Sequence, residues 1–546
     1  MLRTAWAALA LGLGLIHQPV LATTHADLVT LYTGFRQAVT MPVSRGVADH
    51  SLAAMDARRA TADRTVAALE SIDSTAWPIA ERADHLLVLA EARGVQFQHK
   101  ILRQWQRDPS WWATLDIGWG PKVATAFALP KLPLKDAAAR NALSAKLRGV
   151  PTTLAAARAT LTDLRGDLVG LGVEHHGIET RLYARMARDL AAQPRLAAEA
   201  RAAERASAAF VAWLAQHRAQ VPAAAGIGAP AFAWYLRHVL LYPYDQDQMR
   251  AIGEREWQRT MTFLKLEEHE HRDQPMLTPV ASLAGFEALR RDADTDLLAF
   301  LKAKNIMTVP DWLTVPEPEG PYVMPVNQDP SVPGPFDPPI DRNFFREAED
   351  RDPRTLRAHN LPGHIFDMKW RARDPRPIRR DPRLGFAESS RVEGWAFYLE
   401  EMVVQAGWLD DRPKGREIHY ILMANRAARL LPELKVQANE WSFDEALASL
   451  AGRTPYWMEK DDDTARYDMA LYLRQPGLGL NYYFGKTQLE ELLAEVALKE
   501  GLAFDLKRFH DSFIARGLIP IALTRWEMTG NDDQVRDMWK APPIPD

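Results

Sequence analysis

Apolar residues recur at helical spacing along most of the 546-residue chain, and charged residues occupy the intervening faces. In the first half, this periodicity predicts helices over residues 26–40, 78–107, 135–166, 178–220, 232–241 and 246–271. In the second half, it predicts helices over residues 383–405, 414–440, 443–450, 463–473 and 486–500. Strand-like and helix-like segments do not alternate, which argues against a parallel α/β sheet. The pattern therefore predicts a mostly α-helical fold.

Prolines interrupt this pattern. Pro194 is expected to break or kink the predicted helix over residues 178–220, because proline cannot donate the helical hydrogen bond. Residues 309–340 contain ten prolines, so this segment is predicted to be neither helix nor central strand. A linker between two domains is one interpretation. Trp312, Tyr322 and Phe336 are too apolar for a solvated tether, which favours an extended segment packed along a single domain of residues 23–546.

The first 22 residues have the pattern of a secretory signal peptide. Arg3 precedes an apolar run over residues 5–16, and residues 20–22 (VLA) form a small-residue cleavage site. An N-terminal membrane anchor is the alternative, but the run is too short to span a bilayer comfortably. We therefore expect a periplasmic or secreted protein that does not contact the membrane after signal cleavage.

Charge and composition exclude several partners and types of active site. The formal net charge is -4, which gives no general attraction to nucleic acid, so nucleic acid is not an expected partner. There is no cysteine, which excludes disulfides, iron–sulfur clusters and cysteine nucleophiles. No G-x-S-x-G elbow and no P-loop occurs in the sequence. Any metal site must therefore be built from His, Asp and Glu.

Two histidines in the stretch AHNLPGH stand out among the fifteen. The pair at residues 175–176 lies in polar sequence and is predicted to be on a solvated face. His359 and His364 are followed by Glu393 on a predicted amphipathic helix, and two histidines with a later glutamate form a known type of zinc ligand set. On a regular helix, five residues rotate about 140°, so the two rings would diverge. A metal site here requires a broken or bulged helix, which the proline and glycine at residues 362–363 could provide.

Four further blocks stand in order from residue 393 onward: EGWAFYLEEM, RAARLLPELKVQANEWSFDEA, QPGLGLNYYFGKTQLEELL and FDLKRFHDSFIARGLIPIAL. With the PGH of residues 362–364, they resemble the bacterial domain-of-unknown-function family numbered 885, over roughly residues 77–530. The resemblance implies a large helical body of gluzincin-like zinc metallopeptidase architecture with a deep cleft. It also implies Zn²⁺ as cofactor, a peptide as substrate or ligand, and Glu393 as the third metal ligand.

The motif departs from the family pattern H-E-x-x-P-G-H at its catalytic position. An ungapped alignment on residues 362–364 places Ala358 at the first histidine and His359 at the glutamate. A one-residue deletion places His359 at the histidine and Asn360 at the glutamate, which keeps all three candidate ligands. Either alignment removes the general-base glutamate, and asparagine has no proton affinity suited to that role.

Other residues are candidates for the missing catalytic roles. Glu388 or Glu433 could act as the base that activates water, and Tyr472 or Tyr482 could donate a hydrogen bond to an oxyanion. Asp367 is either an additional ligand, an acceptor for a ligand histidine, or a surface acid. Six arginines over residues 371–383 either hold a substrate carboxylate or form a solvated loop with aspartates, and the second interpretation is favoured for most.

These observations predict an exported zinc-metallopeptidase-like protein that hydrolyses peptides in a deep cleft with a non-standard active site. The alternative is a catalytically inactive relative that binds peptides or metal without cleavage.

Overall fold

The computed structural model of the chain describes residues 24–44, 47–118, 120–315, 320, 328–386 and 389–545. Helices account for 66% of the chain and strands for 1%, which confirms the predicted mostly α-helical fold. The predicted signal peptide over residues 1–22 lies outside the described residues. Among the helices of the described part, none combines the length and the apolar character that crossing a membrane requires.

The first half of the chain is almost entirely helical. Its α-helices are α1 (His25–Ala38), α2 (Leu52–Glu70), α3 (Ile79–Phe97), α4 (Gln104–Arg107), α5 (Ala137–Thr160), α6 (Gly166–Asp189), α7 (Pro194–Arg218), α8 (Ala229–His238), α9 (Gln246–Glu270) and α10 (Leu283–Ala303). A π-helical turn covers Gln98–Leu102, and a 3-10 turn covers Pro109–Trp112. Strands β1 (Val43–Ser44) and β2 (Val47–Ala48) pair antiparallel between α1 and α2.

The second half carries the shorter helices around the histidine motif and then a second group of long helices. Its α-helices are α11 (Phe344–Glu349), α12 (Arg354–Ala358), α13 (Asp367–Arg371), α14 (Pro377–Arg380), α15 (Ser389–Gln405), α16 (Pro413–Ala428), α17 (Leu430–Gln437), α18 (Phe443–Arg453), α19 (Asp463–Arg474), α20 (Leu480–Glu500), α21 (Leu506–Ala515) and α22 (Ile521–Thr529). A π-helical segment covers His359–Phe366, and 3-10 turns cover Leu384–Phe386, Gly501–Ala503 and Arg536–Met538.

Local sequence explains where several helices begin and end. The predicted break at Pro194 is confirmed: α6 ends at Asp189, and Pro194 occupies the first turn of α7, where a backbone N–H has no helical partner. Capping boxes start α1 at Thr24 and α18 at Ser442, each with an acidic residue three positions later. The predicted helix over residues 78–107 is interrupted, because the π-turn after α3 ends at Arg103 in the left-handed conformation.

The described parts of the proline-rich segment lie against the helical body, as the apolar residues predicted. Trp312 packs on Trp370, with ring centroids 5.4 Å apart, and the Arg373 guanidinium lies over its indole. Phe336 lies under the Arg346 guanidinium at 4.6 Å and beside Phe286. These contacts bring residues from both ends of the segment onto the body. Tyr322 lies outside the described residues.

Helix α15 is the element that organises the histidine motif. It packs against α20 on one side and against the π-helical segment on another. Leu361 and Phe366 of the π-helical segment and Trp395 of α15 are buried in one hydrophobic cluster. The indole of Trp395 stacks on Phe513 with centroids 5.3 Å apart. The histidine motif is therefore held by buried apolar contacts and not by an exposed loop.

Candidate metal centre

The structure brings together the three ligands proposed from the sequence. His359, His364 and Glu393 each offer a ligand atom, and these atoms all lie within 4.8 Å of one another. The two histidine Nε2 atoms are 2.9 Å apart, and their rings are nearly perpendicular, at 86°. The Glu393 carboxylate oxygen Oε2 lies 3.4 Å from Nε2 of His359 and 3.5 Å from Nε2 of His364.

These separations fit the ligand shell of a zinc ion. Zinc bonds of 2.0–2.1 Å at tetrahedral angles place neighbouring ligand atoms about 3.3–3.4 Å apart. The three measured edges, 2.9, 3.4 and 3.5 Å, lie around that value. Two imidazoles and one carboxylate are also the donor set of many catalytic zinc sites, which keep the fourth position open for water or substrate. The donor set and its spacing therefore fit zinc.

The π-helical segment resolves the five-residue spacing that an α-helix could not accommodate. Residues His359–Phe366 form π-helical turns, whose hydrogen bonds run from i to i+5 and add about one residue per turn. Residues five apart therefore return to the same face, and both rings point at Glu393. Pro362 lies inside these turns, where its missing N–H removes a helical hydrogen bond and favours the wider turn. The bulged helix required by the sequence is present.

Glycines let this segment and α15 approach closely. A Cβ atom at Gly363 would lie 2.6 Å from Cβ of Ala396 on α15, which is closer than real Cβ contacts. A Cβ atom at Gly394 would lie 2.4 Å from Cα of Gly485 on α20. The glycine of the EGW block therefore permits the α15–α20 crossing directly beside Glu393, and the glycine of PGH permits the π-helical segment to pack on α15.

Glu400 supports His359 from the side opposite the metal position, and sequence reasoning missed this residue. Its Oε1 atom lies 2.7 Å from Nδ1 of His359, and Nη2 of Arg426 lies 3.1 Å from the same oxygen. Such a carboxylate fixes the tautomer and orientation of a ligand histidine. Glu400 follows Glu393 by seven residues, two helical turns along the same face of α15, and this spacing is the sequence signal that could have identified it.

The charges of the centre are strongly coupled. Burial by itself would raise the pKa of Glu393, but His364 and His359 outweigh it and hold that pKa well below its usual range. Burial would likewise lower the pKa of His359, but hydrogen bonds to Glu393 and Glu400 raise it. Glu393 and Glu400 therefore stay ionised, and their negative charge favours a positive charge at the point where the ligand atoms converge.

The centre forms part of the wall of a cavity of about 370 Å³. His359, Asn360 and Glu393 line it, so the residue that either alignment places at the family glutamate lies in the cavity wall. Tyr472 and Tyr482 line it as well. The Tyr482 ring stacks on His359, with centroids 6.2 Å apart and an angle of 18° between the planes. Burial raises the pKa of both tyrosines, so at neutral pH each keeps the phenolic proton that it could donate.

A buried ion pair forms another part of the cavity wall. Nη2 of Arg429 lies 2.9 Å from Oδ2 of Asp468, and the Arg429 guanidinium lies 5.2 Å from the centre of the Tyr482 ring. These contacts fix Tyr482 and the arginine relative to one another, on a wall that offers several hydrogen-bond donors.

Of the remaining acidic candidates, the structure describes Glu433 and Asp367 and places both away from the ligand set. Glu388 lies outside the described residues. Glu433 is fully buried, and its two oxygens accept hydrogen bonds from the backbone N–H groups of Gly477 and Leu480, which tie down the start of α20. Asp367 is also buried and pairs with Arg391 at 2.8 Å and with Arg371 at 2.9 Å. This position fits neither a metal ligand nor a surface acid, because both arginines form ion pairs with the Asp367 carboxylate.

Glu349, at the end of α11, is a cavity-lining carboxylate that sequence reasoning missed. It lies in a strongly charged run, which hides its burial, since only 9% of the residue is exposed. Burial raises the pKa of its carboxyl to about 6, although Arg290 and Arg357 act in the opposite direction. A carboxyl with that pKa can exchange protons near neutral pH.

The prediction that the histidine pair at residues 175–176 faces solvent is wrong. His175 is 1% exposed and His176 is completely buried. Nδ1 of His176 lies 2.7 Å from Oε2 of Glu179, and its Nε2 lies 3.0 Å from the carbonyl oxygen of Pro109. The pair is buried because α6 packs against α7 and the turn Pro109–Trp112, a tertiary contact that local polarity does not reveal.

Most of the arginines over residues 371–383 form ion pairs with acids, as the favoured interpretation predicted, but not all of them are solvated. Arg376 pairs with Asp374, and Arg380 pairs with Asp381. Arg379 is 1% exposed and pairs with Asp84 and Glu527, so it belongs to the protein interior. The arginines that line the cavity are Arg346, Arg426 and Arg429.

Comparison with known proteins agrees with this architecture. The family model described as "Bacterial protein of unknown function (DUF885)" matches residues 306–528, a range that contains all three candidate ligands. The match starts well after residue 77, where the resemblance was expected to begin. No curated protein matches the chain.

Two solved structures share the fold. A "putative lipoprotein of unknown function" from Shewanella oneidensis is 17% identical, with a TM-score of 0.69 over 93% of this chain and 100% of that protein. A "putative lipoprotein" from Colwellia psychrerythraea is 15% identical, with a TM-score of 0.68 over 94% of this chain and 99% of that protein. At these identities, the similarity shows the fold and not the activity.

Proposed function

We propose that this chain is a zinc-dependent peptidase that binds its substrate in the cavity beside His359, His364 and Glu393. The observation that carries the proposal is the convergence of the three ligand atoms at near-tetrahedral spacing, with Glu400 supporting His359. A structural cluster of two histidines and a carboxylate would not require a cavity on its open side, whereas a catalytic centre does.

The cavity residues suit the hydrolysis of a peptide bond. Zinc held by the three ligands would supply Lewis-acid polarisation of the reacting groups. Tyr482 and Tyr472 present phenolic donors to the cavity, where they would stabilise negative charge on a carbonyl oxygen. Glu349 supplies the base that Asn360 cannot, because the other two cavity-lining carboxylates of the described residues are otherwise engaged. Glu393 belongs to the ligand set, and Asp468 pairs with Arg429.

We propose that the protein works in the cell envelope, outside the cytoplasm. The N-terminal pattern predicts export, and the two structural neighbours are described as lipoproteins. Peptides are the substrate class because the donor set, the phenolic donors and the open cavity together match the requirements of acyl transfer to water.

Metal analysis combined with peptide hydrolysis tests this proposal. We expect about one zinc per purified mature chain, and we expect His359→Ala and Glu393→Ala each to lose the metal and the hydrolysis of a randomised peptide mixture. His176→Ala removes another buried histidine and is the matched control, which should keep the metal. A wild-type chain that binds no zinc would overturn the metalloenzyme proposal.

A peptide- or metal-binding protein without hydrolytic activity is the second candidate, and one observation favours it. Asn360 lines the cavity, stands at the family glutamate in the alignment that keeps all three ligands, and has no basic group. Zinc retention together with the absence of any cleaved product from the randomised mixture would support this candidate. Cleavage that depends on the three ligands would exclude it.

A further inference from the structure

A second cavity adjoins the one that contains the candidate metal centre. Its volume is about 320 Å³, and Leu478 lines both cavities, so the two lie next to each other at this residue. The second cavity is bounded by α2, the π-turn after α3, and the turn between α19 and α20. Trp111, Tyr235 and Leu240 supply apolar wall, while Gln98 and Asn481 supply amide groups.

Every charged side chain in the described lining of this second cavity is positive. They are Arg58, Lys122 and Arg474, and no carboxylate is found in the described lining. Lys122 pairs with Asp116 at 2.8 Å, and Nε of Arg474 donates to Asp108 at 2.7 Å. Two of the three cations are therefore neutralised by acids that do not line the cavity.

Arg58 is held only by neutral acceptors in the described part of the chain. Its Nε donates to the carbonyl oxygen of Val39 at 2.8 Å, and its Nη2 donates to Oε1 of Gln98 at 3.3 Å. Nη1 lies 3.4 Å from Nε2 of His99. Burial lowers the pKa of His99 to about 4, so this imidazole is neutral at pH 7. No acid of the described residues forms an ion pair with Arg58, which leaves a fixed positive charge facing a cavity.

We propose that Arg58 binds the free C-terminal carboxylate of a peptide whose chain passes Leu478 toward the metal centre. This inference rests on the proposed function and specifies its substrate class, peptides with a free C-terminus. A guanidinium presents a planar pair of donors that matches a carboxylate, and a half-buried cation without a counterion gains from an anionic ligand. The amide and apolar groups of the second cavity match the backbone and side chains of the last residues of such a peptide.

A comparison of peptide acids with peptide amides tests the role of Arg58. A randomised, N-acetylated pentapeptide mixture is prepared once with free C-termini and once as C-terminal amides. Peptides retained or cleaved by the mature chain are identified by mass spectrometry. We expect the wild-type chain to prefer the acids about tenfold or more, because a charge-assisted hydrogen bond contributes that much. Arg58→Gln should lose this preference.

Arg59→Gln is the matched control, because it removes a cation from the same helix where the side chain is 57% exposed and pairs with Asp56. It should keep the wild-type preference. If Arg58→Gln does not fold, Arg58→Lys replaces it and should weaken the preference without abolishing it, since lysine offers a point charge without the planar fork.

Several results would overturn the inference. These are equal use of acids and amides by the wild-type chain, an unchanged preference in Arg58→Gln, and retention of no peptide in either form. Enrichment of Asp- and Glu-containing amides would show that a side-chain carboxylate is the ligand instead. An acid preference in a chain that binds no zinc or cleaves nothing would contradict the proposed peptidase while leaving the carboxylate site in place.

Discussion

Glu400 decides how firmly His359 can hold a metal, because its carboxylate lies 2.7 Å from Nδ1 and leaves Nε2 as the ligand atom. We expect Glu400→Gln to weaken zinc binding about tenfold or more, since the neutral amide polarises the imidazole less. Competition with a chromophoric chelator measures the zinc affinity. The three ligands themselves remain unchanged in this variant.

The neighbouring residue provides a matched control for Glu400→Gln. Glu401 is equally buried, but it points to Lys486 at 2.8 Å and to Arg259 at 2.5 Å. Glu401→Gln should lower the thermal stability without changing the zinc affinity of the folded protein. Equal losses of zinc affinity in both variants would show that Glu400 acts through general stability and not through His359.

The raised pKa of Glu349 predicts how kcat/KM for peptide hydrolysis depends on pH on the acidic side. Its pKa is raised to about 6, so the carboxyl stays protonated and cannot accept a proton until the pH exceeds that value. We expect kcat/KM for peptide hydrolysis to rise with pH through an inflection near 6. Glu349→Gln should remove this inflection and lower kcat about a hundredfold or more while zinc content stays unchanged.

Glu347→Gln controls for the loss of a carboxylate from the same short helix, because Glu347 pairs with Arg351 and does not line the cavity of the metal centre. Its pH profile should match the wild type. A Glu349→Gln variant that keeps the wild-type inflection would exclude Glu349 as the base.

At the residue scale, the sequence predicted the groups whose chemistry is rare and missed the groups whose role depends on burial. His359, His364 and Glu393 are predicted as a set because two histidines with a later glutamate match a known type of zinc ligand set. Glu349 was missed because a carboxylate in a charged run resembles a solvated one. Tertiary packing, including that of α11 against α19, makes it buried, and no local pattern contains that information.

At the scale of elements, periodicity predicted the long helices well and their irregularities poorly. The helix predicted over residues 26–40 is observed as His25–Ala38, and the break at Pro194 is observed between α6 and α7. The π-turn after α3 was not predicted, since one inserted residue changes the phase of the pattern without removing it. The irregular turn at His359–Phe366 could be anticipated because Pro362 and the five-residue spacing both conflict with an α-helix.

The α15–α20 crossing predicts the effect of a single added methyl group beside the metal centre. In Gly394→Ala, the new Cβ would lie 2.4 Å from Cα of Gly485, so the two helices must separate. Because overpacking against backbone outweighs the gain in helix propensity, we expect a loss of about 2 kcal/mol or more in the free energy of unfolding. Glu393 moves with the helix, so zinc affinity should fall as well. Chemical denaturation and chelator competition measure the two effects.

Gly34→Ala is the control for this crossing, since Gly34 lies inside α1 and a Cβ there meets nothing within 4 Å. It should raise the free energy of unfolding by about 0.5–1 kcal/mol and leave zinc binding unchanged. A Gly394→Ala variant with wild-type stability would show that the crossing tolerates a methyl group and that the glycine serves another purpose.

At the scale of the whole molecule, buried polar contacts connect distant parts of the chain. Nε of Arg474 on α19 donates to Asp108, and Nη1 of Arg93 on α3 donates to the carbonyl oxygen of Met538. The first contact joins a residue inside the family match at 306–528 to one outside it, and the second joins the segments on either side of that match. They support the proposal that residues 23–546 form a single domain, which the sequence predicted from the apolar character of the proline-rich segment.

Arg379 gives the most direct test of that single domain. Its side chain is 1% exposed and pairs with Asp84 of α3 and Glu527 of α22, which are 4% and 5% exposed. In Arg379→Met both carboxylates stay buried, Asp84 with His25 alone and Glu527 with Arg516 alone, so we expect a loss of about 3 kcal/mol in the free energy of unfolding. The exposed neighbour provides the control: Arg380→Met should be nearly neutral, because Arg380 is 42% exposed and its pair with Asp381 is solvated.

Calorimetry of a single domain should show one cooperative transition that shifts as a whole in Arg379→Met, because α3, α14 and α22 unfold together. Two transitions, of which only one moves, would show that the chain contains two separate domains.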